Sequence, residues 1–210
     1  KNAEMEYLKA KLIYDSLFVE NSPEKARLNM GFCWLYIYRK NYEAALDYCN
    51  QGLAMYKKFG MEETLDCANL YGMFSLVYSH KHDLNNAFYY KEMELKINQE
   101  LFGKESSQVA FIIGSIAGIY QSQSKFIDAK NYYNRVLNLQ LKIFGETNLN
   151  VAQTYSSIGS LFKELSNIDS AMFYNMKALK IFETIYPNGN DNTIAMFDNI
   201  AELFLSTEDL

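Results

Sequence analysis

Hydrophobic positions along the chain fall into a recurring group: a large residue, a small one beside it, and an aromatic three further on, as in Phe32-Cys33-Tyr36 and Phe74-Ser75-Tyr78. That i, i+1, i+4 spacing lies on one face of an α-helix. The group returns every 42 residues, with Phe32, Phe74, Ile116, Ile158 and Ile200 large, Cys33, Ser75, Ala117, Gly159 and Ala201 small, and Tyr36, Tyr78, Tyr120, Phe162 and Phe204 aromatic. Alanine holds a whole column at the same interval: Ala3, Ala45, Ala87, Ala129 and Ala171. A second alanine column runs through Ala26, Ala68, Ala110 and Ala152, and its fifth member is expected to slip to Ala195 after the longer Pro187-Asn188-Gly189-Asn190 loop. A fixed period of this length marks a repeat array, in which each unit buries its apolar face against its neighbours. The small column predicts a close helix-helix approach, because a bulky side chain there would hold the backbones apart.

Each unit reads as two helices. Helix A is predicted over residues 23-39, 63-81, 105-123, 148-165 and 191-206, and helix B over 1-20, 42-59, 84-102, 126-144 and 168-186. The links from A to B are short and polar, as in Arg39-Lys40-Asn41 and His80-Lys81-His82-Asp83, which forces neighbouring helices antiparallel. The links from B to A carry stop and start signals: Gly103, Gly145 and Pro187 follow the last apolar turn, and Ser22-Pro23-Glu24 supplies a cap with proline at the first helical position. Two prolines and ten glycines are too few to punctuate a many-stranded sheet, so composition agrees with an all-α chain.

An apolar residue opening helix B (Tyr42, Leu84, Phe126, Ile168), the alanine three positions later, and the small and aromatic columns of helix A together resemble the tetratricopeptide signature. The longer unit is similar to the kinesin light chain type, as in the stretches from Ala152 to Phe162 and from Ala178 to Glu183. The resemblance covers the whole chain and implies a right-handed superhelical solenoid of antiparallel helix pairs that binds protein segments without doing chemistry. Thr147-Asn148-Leu149-Asn150 and Ser156-Ser157 stand where kinesin light chains would carry His-Pro-Asp and an asparagine pair, so the likeness is to the repeat class and not to a cargo adaptor. The expected organisation is one array, with a leading helix B over 1-20, repeats over about 23-61, 62-103, 104-145 and 146-187, and a partial repeat over 188-210. Leu210 falls in the column of Phe126 and Ile168, where a further helix B should start, so the chain is expected to be a piece of a longer array.

Other chemistry changes this picture little. A formal net charge of -5, with lysines scattered and not striped, gives no nucleic-acid footprint. No apolar run approaches the roughly 18 residues that span a bilayer, and the amino end lacks a signal peptide, so a cytoplasmic chain without membrane insertion is expected. Cys33, Cys49 and Cys67 lack CxxC spacing, which fits a reducing compartment, no zinc site and small apolar core residues. His80 and His82 beside Asp83 form a pair without a third ligand, read as a solvated turn and not as a metal site. No HExxH, GxSxG, GxGxxG or GxxxxGK[ST] is present, so no catalytic residue and no cofactor are expected. The column Tyr48, Tyr90, Tyr132 and Tyr174 is read as packing between repeats.

If the scaffold binds something, the helix A surface opposite the packing columns should vary, and it does. It passes from Met30, Trp34, Ile37 and Tyr38 through Met73 and Leu76 to Gly114, Ser115 and Gly118, and then to Ser156, Lys163 and Glu164. A partner-binding groove is expected at Met30, Trp34, Ile37, Tyr38, Met73, Leu76 and Phe111, centred on Trp34. Its alternative is that Trp34 and Met30 pack against a preceding helix A. The expected function is a protein-interaction scaffold holding a peptide segment of a partner in its concave groove. A peptide- or ligand-sensing regulatory domain of a larger signalling protein is the alternative, and an adjoining output domain would distinguish it. The partner and the oligomeric state are not legible in the residues.

Overall fold

The computed structural model describes residues 22–208 and, ahead of them, residues 5, 6, 9, 12, 13 and 16. Nine helices and no strand run through the described residues: α1 (Pro23–Tyr38), α2 (Tyr42–Lys58), α3 (Leu65–His80), α4 (Leu84–Phe102), α5 (Ser107–Ser122), α6 (Phe126–Phe144), α7 (Leu149–Glu164), α8 (Ile168–Ile185) and α9 (Asp191–Glu208). Every end lies within two residues of its prediction. The predicted helix over 1-20, with Ala3, lies outside the described residues except for the six named, which are helical. Leu210 lies outside them too. The chain divides into two compact units, Lys1–Gly103 and Lys104–Leu210. The first holds the pairs α1/α2 and α3/α4; the second holds α5/α6 and α7/α8, with α9 packed on α8.

The period is written into the helix ends. Ser22, Thr64, Ser106 and Asn148 start the A helices, each accepting a backbone N–H with its side chain, and Asn190 accepts the Thr193 N–H in the same column. Each of the first four A helices then ends on a left-handed residue, Lys40, His82, Ser124 or Ser166, with φ between 55 and 58°. The Lys40 N–H reaches the Ile37 carbonyl and the Asn41 N–H the Tyr36 carbonyl, and the other three turns repeat this double closure. The very next residue caps helix B: Asn41, Asp83 and Asn167 accept the N–H groups of Ala44, Asn86 and Ser170.

Lys125 holds that cap position in α6 and makes no side-chain cap bond. Lys125→Asp is therefore expected to raise stability by about 1 kcal/mol, less whatever the 5.8 Å approach of Lys125 to the Tyr120 ring contributes. A higher midpoint in urea denaturation checks it; an unchanged or lower one contradicts it.

The small column is where the two helices of a pair touch. Ser75 donates to the Ala87 carbonyl at 2.7 Å. A Cβ on Gly159 would stand 2.8 Å from Asn175 Cγ and 3.3 Å from the Ala171 carbonyl oxygen, so glycine is needed for the approach. At the matching place in the first pair Cys33 meets Cys49, and the two form a disulfide with Cα atoms 5.8 Å apart, which departs from the expected unpaired cysteines of a reducing compartment. All three cysteines are buried and Cys67 alone is free, and their spacing gave no sign of the bond, because its halves sit on different helices 16 residues apart. The tyrosine column does pack, in core clusters that span neighbouring pairs, with its ring stacks made inside each pair. Tyr48 stacks on Phe32 and Tyr36 of its own hairpin, Tyr90 on Phe74 and Tyr78, and Tyr174 on Phe162.

One expectation fails in α9. Ala195 is exposed and the register does not slip: Thr193, Met196, Ile200 and Leu203 are buried, and they sit 42 residues after Val151, Thr154, Ile158 and Leu161, which are buried too. Of these, Thr154 bonds Gln140 and Val151 clusters with Ala129, Tyr133 and Leu137, all on the preceding helix B. The column of Ala26 and Ala152 faces the second helix of its own pair, and α9 has no such partner among the described residues, so Ile194 is exposed.

Candidate functional site

On α1 the face opposite the packing columns carries two exposed aromatics, Trp34 at 52% and Tyr38 at 87% of full exposure. Met30 and Leu76 are half-buried against the core of the first unit, and Ile37 and Met73 are buried within it. The exposed part of the expected groove in this unit is therefore Trp34 and Tyr38, and the other four residues belong to or rest on the core. Met30 is held from below, its Sδ accepting a hydrogen bond from the Tyr56 hydroxyl at 3.2 Å. Burial pushes the Tyr56 phenol up to about 12, so it remains a donor.

In the second unit the same helix face is open. Gly114 occupies the column of Met30, and Gln140 on α6 occupies the column of Tyr56. With neither the methionine nor the phenol present, a cavity of about 330 Å³ opens between α5, α6 and α7. Phe111, expected in the groove, stands on its wall and is 71% exposed. Glycine alone does not make such a space. A Cβ on Gly72 in the first unit would stand 2.9 Å from the Glu94 carboxylate, which is paired with Lys91 at 2.6 Å, whereas one on Gly114 would meet only Val136, at 3.9 Å.

Hydrogen bonds order the cavity's floor. Thr154 Oγ1 donates to Gln140 Oε1 at 2.7 Å, and the Tyr133 hydroxyl donates to Gln121 Oε1 at 2.9 Å. Gln121 Nε2 in turn donates to the Glu164 carboxylate at 2.6 Å. Burial, with a smaller contribution from Glu164, raises the Tyr133 phenol and keeps it protonated. The floor residues Tyr133, Val136 and Gln140 were missed in the sequence because they belong to helix B. A glycine in the Met30 column above a glutamine in a column of buried residues was the available signal.

Other candidates fall into structural places. His80 stacks on the Tyr42 ring at 5.3 Å, and His82 is the left-handed residue of its turn. Among the described residues no three His, Cys, Asp or Glu side chains stand close enough to hold a metal. Cys67 is buried and its thiol is pushed up to about 11, so it is a poor nucleophile. Two cations in or beside the groove columns are engaged: Arg27 pairs with Asp66 at 2.6 Å, and Lys163 pairs with Glu202. No described helix is long and apolar enough to cross a membrane.

Residues 108–184 match the tetratricopeptide repeat family. No curated protein matches the chain. Among solved structures, the chain is similar to BtubC (BKLC) from P. vanneervenii, with a TM-score of 0.76 at 20% identity over 99% of this chain and 82% of that one. A putative kinesin light chain with nearly identical TPR-like repeats from Podosopora anserina gives 0.74 at 13% identity, over 91% and 90% of the two chains. The quorum sensor NprR from B. thuringiensis gives 0.77 at 21% identity, over 99% of this chain and 55% of NprR, and NprR is also seen with its cognate peptide NprX. At these identities the likenesses establish the fold. Residues 108–184 are thus similar to tetratricopeptide repeats, and the described chain has a tetratricopeptide-like fold.

Proposed function

We propose that the chain is a non-catalytic scaffold that holds a peptide segment of a partner protein on its A helices, with Met30, Trp34, Ile37, Tyr38, Met73 and Leu76 as the contacts the first unit offers and Phe111 as the contact the second unit offers. The observation that carries this is Trp34. It is a large aromatic left half in solvent on a helix where Phe32, Leu35 and Ile37 reach the core and Tyr38 is exposed beside it, and such residues mark interfaces and become their anchors. NprR, whose fold is shared, is seen with a peptide, which supports a segment and not a small molecule as the occupant. The pairing of Arg27 and Lys163 with carboxylates argues against the acidic carboxyl-terminal tails that clamp-type arrays take, since those need free cations on successive helices.

A display library of random heptapeptides, selected on the protein, tests this. Enriched peptides are expected to bind with micromolar affinity by calorimetry, and a peptide ending Glu-Glu-Val-Asp is expected not to. Failure to enrich any peptide would remove the reading, and tight binding of the acidic tail would redirect it to a clamp.

A further inference from the structure

The protein is 21% Asp, Glu, Lys and Arg, yet no charged residue lines the cavity between α5, α6 and α7. Its lining is apolar at Phe111, Val136 and Phe144, while hydroxyls and carboxamides share its base with Val136. Tyr133, Gln140 and Thr154 are each 7% exposed and so lie at the bottom. Gln140 spends one acceptor site on Thr154, and a carboxamide has two donors and a second lone pair besides. Glu164, the carboxylate tied to this network, lies outside the lining and is hydrogen-bonded to Gln121.

We propose that this cavity is the specificity pocket of the binding face, and that it takes an uncharged carboxamide side chain, glutamine or asparagine, from the bound peptide. This rests on the peptide-binding reading above. The methylenes of such a side chain suit the Phe111 and Val136 walls, and its amide both donates to and accepts from Gln140 and the hydroxyls around it. A purely aliphatic occupant would displace water from those polar groups and replace none of their hydrogen bonds. A carboxylate or ammonium would lose its hydration with no counter-charge in the pocket to meet it, so Asp, Glu, Lys and Arg are refused at that position. The size agrees: about 330 Å³ sits at the low end of ligand pockets, room for a side chain and its backbone but not for a large cofactor.

The variant that closes the pocket is supplied by the protein itself. Gly114→Met restores the residue that fills the corresponding space in the first unit, and the position is open enough that a Cβ there makes only ordinary contact with Val136. Its thermal unfolding should match or exceed that of the parent, which separates occlusion from misfolding. The random heptapeptide library is selected on both proteins. On the parent, one family of peptides is expected to share Gln or Asn at a fixed position, and synthetic members with Glu or Lys there should bind at least tenfold more weakly. On Gly114→Met that preference should vanish. The pocket assignment is overturned if peptides lost on Gly114→Met share a charged or aliphatic residue, or if every enriched peptide binds both proteins equally; the peptide-binding reading then still stands. Failure of any peptide to enrich on the parent overturns both.

Discussion

Phe74→Ala should lower the unfolding free energy by about 3–5 kcal/mol. Phe74 is fully buried in α3 and stacks face to face on Tyr90 of α4 with ring centroids 4.6 Å apart, so its removal takes away both transferred area and an aromatic contact. The counterparts Phe32, Ile116, Ile158 and Ile200 are buried as well, which identifies the column as the seam of each unit. In repeat arrays a local loss weakens the unit and its coupling to neighbours, so the denaturation curve should broaden as well as shift. Tyr38→Ala on the exposed end of α1 serves as the control and should change stability by no more than about 0.5 kcal/mol. A loss below about 1 kcal/mol for Phe74→Ala would mean that the seam relaxes around the missing ring and that the column does not define the core.

The fold was legible because it is periodic, and the site was not because it breaks the period. Identical structural demands recur every 42 residues, so the alanines, the aromatic stack and the helix limits could be read by subtraction. The turns obey the same interval through Lys40, His82, Ser124 and Ser166, although a left-handed conformation is not announced by lysine or serine as it would be by glycine. Ile37 and Met73 show the limit of reading a face from one helix: both stand in the variable columns read as groove, yet they are buried in the core of the first unit. The cavity needed three helices at once. Gly114 has consequence only because Val136 and Gln140 lie beneath it, where Glu94 covers Gly72 and Tyr56 supports Met30. The disulfide is the same kind of event, since only the close approach of α1 and α2 makes Cys33 and Cys49 partners.

Trp34→Ala should weaken binding of the selected partner peptide by about thirtyfold while leaving helical content unchanged. The magnitude follows from about 2 kcal/mol for truncating an aromatic anchor, with each 1.4 kcal/mol worth a factor of ten. A reduced stability effect follows from exposure. Trp34 keeps 52% of its surface in water, so the buried part contributes about 2–3 kcal/mol by area, at or below the lower end of the 3–5 kcal/mol that removal of a core tryptophan costs. The rest of the unit explains why the anchor is placed there. Met30 on the same helix is fixed by Tyr56, and Leu76 rests on the core, so α1 is a firm support for a side chain left half in solvent. Calorimetry and thermal unfolding on the same Trp34→Ala protein separate an anchor from a packing residue, and Trp34→Phe, which keeps a ring on the same support, should recover part of the affinity. If Trp34→Ala instead loses several kcal/mol of stability, and the affinity of the fraction that remains folded is unchanged, then the indole belongs to the core and the binding face lies elsewhere on the A helices.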